Sequence, residues 1–338
     1  MINMPTNPGA PQQANVKLVS LFQHPTMIAT VAVAGATGAV GRTLVEQIRK
    51  ENKLRVIALT RREHFESPFD NVQYVQVDYD DGPSLVQHLE RNEVLTVICA
   101  IGMLGEDCSE AQLNLIQAAD RASTVKRFMT SEFGYFTSEE RRDIDPGVDW
   151  FLKAADLLKS SGLTYTRPVC GVFMDFLGMP YAQSNITPMN IVIDVLNREA
   201  HLPGDGNSPL TMIYSYDAAT LVAKLLEAEE WSEFSFCNGE DTTLSEVLKV
   251  AEEVRGQNFD VVYLKREDID KGAIPILKIP RGSGIEPKEL LDYSVFGYQM
   301  YLRKGFQLPT EGRIGNLFPG FKPRTVREFL ESIWRFNS

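Results

Sequence analysis

Val31-Ala-Val-Ala-Gly35-Ala-Thr-Gly38-Ala-Val-Gly41-Arg-Thr-Leu-Val-Glu-Gln-Ile48 reads as an apolar strand, a glycine-rich turn and the opening of a helix. Ile28 to Ala34 has the nearly unbroken apolar character of a buried parallel strand, and Thr43 to Arg49 alternates with helical period. Glycines let a turn bring its backbone close to a pyrophosphate, and a helix N-terminus presents free N–H groups and a positive dipole end. Gly35, Thr37, Gly38, Ala39, Val40 and Gly41 are therefore the expected phosphate-facing positions. An ordinary strand-turn-helix without a ligand is the competing reading, and it gives three glycines at this spacing little reason to coincide.

Working outward, Arg55-Val-Ile-Ala-Leu-Thr60 is a second short apolar strand, and Arg61-Arg62 follow it. An acid there would suit the ribose 2′-hydroxyl of NAD; an arginine fork matches the 2′-phosphate of NADP. Arg61, directly after the strand, is expected to take that phosphate, with Arg62 as a second contact or a solvated turn residue. Asn71 to Val77 is a third strand that ends in Asp78, placed either to meet an adenine amino group or to cap a helix. Val97-Ile-Cys-Ala100-Ile101-Gly102 ends in small residues that let a nicotinamide ribose lie close. Phe128-Met-Thr-Ser131-Glu132-Phe133 ends in polar groups that either face the cofactor or stabilise the turn. Val169 and Gly171, closing a sixth strand, complete the cofactor-facing set.

The strands expected at 28–34, 55–60, 72–77, 94–100, 126–130 and 163–169 alternate with helices at 39–50, 82–92, 109–122 and 149–161. Such alternation means right-handed βαβ units and an α/β, Rossmann-type doubly wound parallel sheet. After Gly171 the rhythm breaks into short strands near 191–195, 210–215 and 259–263, with helices at 216–228 and after the capping boxes Thr243-Leu-Ser-Glu246 and Thr325-Val-Arg-Glu328. Three parts are expected: an extension at 1–26, an NADP-binding part at 27–171, and a smaller α+β substrate lobe at 172–338 whose segments can interleave with the second.

Net charge is −11 over 338 residues, which argues against nucleic acid or an anionic membrane as the main partner. The four cysteines are scattered without a Cys-x-x-Cys pair, and the four histidines show no ligand spacing, so no metal site is expected. No apolar run approaches the 18 residues of a spanning helix. The polar, proline-rich start lacks the form of a signal peptide, and Val16 to Phe22 is an apolar patch within it. The expectation is a cytoplasmic monomer or homodimer with a small-molecule substrate.

Together these pieces resemble the NmrA-like and isoflavone-reductase-like family of atypical short-chain dehydrogenases, its fungal members especially. Gly35-Ala-Thr-Gly38-Ala-Val-Gly41, Thr60-Arg61-Arg62, Lys126-Arg-Phe-Met-Thr-Ser131-Glu132-Phe133-Gly134, Gly162-Leu-Thr-Tyr-Thr-Arg-Pro168 and Tyr216-Asp217-Ala-Ala carry the likeness over residues 27 to about 335. The resemblance implies NADP(H) and, for most enzymes of the family, reduction of a small aromatic or phenolic metabolite. Some members only sense the dinucleotide. An isomerase or cyclase without net redox is a further alternative on the same scaffold.

Two patterns depart from expectation. No Tyr-x-x-x-Lys occurs. The reductases carry a lysine near the start of the helix before Gly162-Leu-Thr-Tyr-Thr; counting back without gaps places Phe151 there, with Lys153 two residues on. Two residues turn a helix by about 200°. Lys153 is the catalytic and cofactor-side candidate the resemblance implies, against the competing reading of a solvated helix lysine. Ser131 and Tyr135 stand by it to polarise or protonate a substrate oxygen. Phe133, Phe173, Met174, Phe176 and Met179 are the candidate lining of an apolar substrate pocket, against core packing for some of them.

Overall fold

In the computed structural model of this chain the described residues are 29–50, 54–63, 65–142 and 147–335. The extension at 1–26 with its apolar patch, as well as His24 and His64, lies outside them.

The first half alternates as its periodicity demands: β1 (Ala29–Ala34), α1 (Ala39–Ile48), β2 (Leu54–Thr60), β3 (Val72–Gln76), α2 (Gly82–Arg91), β4 (Val94–Cys99), α3 (Glu106–Arg121), β5 (Arg127–Met129), α4 (Gly147–Lys159) and β6 (Thr164–Val169). The second half is made of shorter pieces: β7 (Val172–Phe173), β8 (Ile193–Asp194), β9 (Glu199–Pro203), β10 (Pro209–Ile213), α5 (Ser215–Leu225), β11 (Phe234–Phe236), β12 (Glu240–Thr243), α6 (Leu244–Arg255), β13 (Asp260–Leu264), α7 (Arg266–Asp270), α8 (Pro287–Leu302) and α9 (Val326–Trp334).

Seven strands form one parallel sheet in the order β11-β6-β5-β4-β1-β2-β3. The chain leaves β3 and returns on the far side of β1 as β4, so the order reverses between β1 and β4, and a crevice opens beyond their carboxyl ends. Helices cover both faces, which is why β1 is buried from Thr30 to Ala34. Val31, Val33, Val56, Ala58 and Ile98 pack under α1 and α5; Ala32, Ala34, Ile57, Leu59 and Val97 pack under α2, α3 and α4. Two three-stranded sheets, β12-β10-β7 and β13-β9-β8, form with α6 and α9 a second core around Leu202, Leu210, Met212, Val247, Phe329 and Leu330.

The two halves interleave. β11 joins the main sheet beside β6, and α5 lays Leu221, Val222 and Leu225 into the same cluster as Leu44, Val45 and Ile48 of α1. Both expected capping boxes form: Thr243 with Glu246 and Thr325 with Glu328. The sequence reading did not anticipate β7, β9, β11, β12, α7 or α8. β11 is only Phe-Ser-Phe, β9 carries a buried histidine, and the apolar residues of α8 do not repeat along one stripe.

Candidate functional site

The glycine turn is built by close approach. Gly35 has φ +73°, and a Cβ there would lie 2.5 Å from the Ala100 carbonyl oxygen, so the end of β1 is pressed against the end of β4. A Cβ on Gly41 would come within 2.2 Å of the Gly35 oxygen. Gly41 thus serves helix-on-turn packing, while Thr37 is half-buried in the turn. Gly38 is different. Its N–H donates to the Gly35 carbonyl at 2.9 Å, and it precedes α1 without any side-chain cap. Gly38, Ala39 and Val40 line a cleft of about 540 Å³ at this helix N-terminus.

The rest of the cleft comes from neighbouring strand ends. Arg61, exposed after β2, forms part of its wall, as do Ala100, Ile101 and Gly102 after β4 and Ser131 to Tyr135 after β5. Ser131 is pinned there: its hydroxyl donates to the Ile101 carbonyl at 2.7 Å, and its N–H donates to Gln112 Oε1 at 2.8 Å. The turn-stabilising role considered for Ser131 is the one its hydrogen bonds show.

Other residues expected at the cofactor lie in different surroundings. Glu132 is among the residues lining the cleft, and its fully buried carboxylate accepts from Arg167 Nε at 2.8 Å, Arg167 Nη2 at 3.0 Å and Thr137 Oγ1 at 2.8 Å. That carboxylate anchors the loop. Burial works to lower the pKa of Arg167, yet Glu132 and Glu233 hold it above the ordinary value. Arg62 is exposed outside the cleft wall, its N–H bonded to Thr60 Oγ1. Asp78 lies outside it too: it is exposed and closes a turn by accepting from the Asp80 N–H at 3.0 Å, and the cap of α2 is Asp81. Val169 is fully buried against Phe236 and Leu308, so it faces core. Gly171, at φ +72°, donates to the Gly134 carbonyl at 2.9 Å and faces the apolar chamber described next.

Lys153 is exposed on α4 and is not part of the cleft wall, whereas Phe151 is. The two-residue offset turns the ammonium toward water and the ring inward. The Phe151 ring meets Tyr135 edge-on at 6.1 Å.

Beyond Tyr135 lies a second cavity of about 270 Å³, almost wholly apolar. Phe173, Phe176, Leu210, Met212, Phe296 and Phe306 are among its walls. Met174 is fully buried in the second core, and Met179 faces a separate hollow with Tyr181 and Lys278, so neither lines this chamber. Phe296 and Phe306 were missed because segments more than a hundred residues from Phe173 supply them, and no local pattern marks them. Phe133, Gly134 and Tyr135 line both cavities, making this loop the junction. Among the described residues no cluster of His, Cys, Asp or Glu is arranged to hold a metal ion.

Comparison with known proteins agrees with this architecture. The family model described as NmrA-like matches residues 27–330. Oxidoreductase swnN of Metarhizium robertsii is 29% identical over 333 residues, which cover 90% of this chain and 97% of that protein. Oxidoreductase BOA1 of Botryotinia fuckeliana is 31% identical over 230 residues, 68% of this chain and 77% of its own. Among solved structures, the binary complex of leucoanthocyanidin reductase with NADPH from Vitis vinifera superposes with a TM-score of 0.68 at 19% identity, over 90% of this chain and 99% of that one.

Proposed function

The chain belongs to the NmrA-like family and is an oxidoreductase, and from that premise we propose that it transfers hydride from NADPH to a small aromatic or polyketide-like metabolite. One observation carries the reading: a cleft at a helix N-terminus and an apolar chamber meet at a single loop, Phe133 to Tyr135. The uncapped start of α1, with Gly38 in the wall, suits a pyrophosphate. Arg61 suits a 2′-phosphate. The small residues Ala100 and Gly102 leave room for the nicotinamide end. When bound, the cofactor supplies the hydride; the chain binds, orients and excludes water. The chamber offers stacking and apolar contact, which an aromatic acceptor uses best. The NADPH of the superposed reductase complex supports the cofactor assignment.

The test is a fluorescence titration of native protein and Arg61→Ala with NADPH and NADH. NADPH should bind more tightly, and the variant should lose about 1.5–3 kcal/mol of NADPH affinity, the scale of a charge-assisted contact. Equal native affinities would remove the 2′-phosphate assignment. The exposure of Lys153 favours a second reading, a dinucleotide sensor without turnover. A panel of aromatic aldehydes, ketones and enones separates the two by loss of NADPH absorbance. Lys153→Ala should leave any such rate unchanged.

A further inference from the structure

We propose that the separate hollow beside Met179 is a second ligand site, which takes an organic monoanion: a carboxylate carried on an aromatic or other apolar body. The hollow, of about 390 Å³, has the size of a small-molecule pocket and shares no lining residue with the cleft or the chamber. Met179, Pro180, Leu196, Ile279 and Pro280 supply its apolar wall, together with the Tyr181 ring. Tyr181 and Leu196 are two of the five large apolar side chains left exposed among the described residues, and they meet at this one hollow. The remaining lining residues are Asn190, Asn197, Lys278 and Arg281, with no acid among them. Among the described residues neither Lys278 nor Arg281 is paired with a carboxylate. Solvated surface cations are the ordinary case for such side chains. Here two of them border a concave apolar wall on a chain of net charge −11, a local reversal of sign that suits an anion.

The hollow is also held in shape. Asp194, only 2% exposed, fastens both asparagines: its Oδ2 accepts from Asn190 Nδ2 at 2.7 Å and Asn197 Nδ2 at 2.6 Å, and its Oδ1 accepts from the Asn197 N–H at 2.9 Å. Asn190 Nδ2 donates again to the Lys278 carbonyl at 2.9 Å, which ties the segment bearing both cations to the segment bearing both asparagines. The Tyr181 ring stands edge-on to Trp334 at 5.4 Å, and the Trp334 indole N–H donates to the Leu177 carbonyl at 2.8 Å. Walls fixed in advance reduce the ordering cost of binding. The Arg255 guanidinium lies over the Trp334 ring at 5.1 Å, where burial and the positive charge of Arg198 hold its pKa below the ordinary value. The surroundings of Tyr181 are thus positive as well. The Asp194 carboxylate next to the asparagines disfavours a second negative charge, so one charge fits better than two. The ligand's carboxylate would meet Lys278 and Arg281, and its apolar body would lie against Tyr181 and Leu196.

The experiment is calorimetric titration of the full-length protein with 2-naphthoate, 2-naphthamide and 2-naphthyl phosphate at low ionic strength. The naphthoate should bind more tightly than the uncharged amide, and the phosphate should bind no more tightly than the naphthoate. The double variant Lys278→Ala, Arg281→Ala should weaken naphthoate binding about tenfold, the scale of two exposed charge contacts, and leave amide binding unchanged. Both side chains are exposed, so the thermal midpoint should hold; the single change Arg281→Glu tests the same contact. Removing equal charge from the first half, by Lys126→Ala with Lys159→Ala, should leave naphthoate affinity as it was. The proposal would be overturned by a naphthoate that does not bind or binds no better than the amide, or by binding that survives Lys278→Ala with Arg281→Ala, which would place the probe in the chamber. An equal loss in the Lys126 and Lys159 variant would reduce the effect to net charge and overturn it too. Tighter binding of the phosphate would overturn the assignment to a carboxylate.

Discussion

Glu132 shows what a single residue type can and cannot tell. A carboxylate at the end of a central strand, beside a cofactor cleft, has the placement of a ligand-binding group, yet both its oxygens are turned into the protein against Arg167 and Thr137. The Arg167 guanidinium also faces the Phe234 ring at 4.4 Å. A buried pair of this kind adds little net stability over a well-packed apolar pair, but removing one partner strands the other charge away from water. Glu132→Ala should therefore cost about 3–5 kcal/mol in denaturant unfolding. Its effect on NADPH affinity in protein that remains folded should be smaller than that of Arg61→Ala. A variant with native stability and lost NADPH binding would restore Glu132 to the cofactor's side. The sequence marked where Glu132 sits in the chain. It could not mark which way the side chain turns, because the partner Arg167 is 35 residues away on β6.

Among the elements, β1, its turn and α1 were the most legible, since apolar run, glycine spacing and helical period agree over eighteen residues. What the spacing did not separate was the work of each glycine. Gly38→Val puts a Cβ 3.2 Å from the Gly35 oxygen, a distance a small shift relieves, and sets a branched side chain in the cleft wall. Gly41→Ala puts a Cβ 2.2 Å from the same oxygen, and backbone there cannot yield cheaply. The expected outcomes diverge: by calorimetry Gly38→Val loses NADPH binding with little change in thermal midpoint, whereas Gly41→Ala loses stability first. The capping boxes were legible for the same reason as the turn, being local chemistry at fixed offsets. β11 was not. Three residues carry no period, and its place beside β6 is decided by packing against a strand far back in the chain.

At the scale of the molecule, the interleaving of the halves decides how they respond together. β11 extends the first-half sheet, and the cluster between α1 and α5 draws on both halves. The Tyr216 hydroxyl donates to Glu46 at 2.5 Å, and Asn185 Nδ2 donates to Thr43 Oγ1 at 3.2 Å. The chamber itself is closed by residues from both. Chains of this length commonly unfold in steps when their lobes are separate. Here neither half keeps an intact core without the other, so calorimetry should show one transition for both. Because the cleft is built almost wholly from first-half strand ends, NADPH provides the discriminating probe. At a hundred times its dissociation constant, a ligand that binds only folded protein adds about 2.7 kcal/mol. If the halves unfold as one, the whole transition should move upward. If they are independent, only one of two resolved transitions should move, and the coupling inferred from β11 and α5 would be wrong.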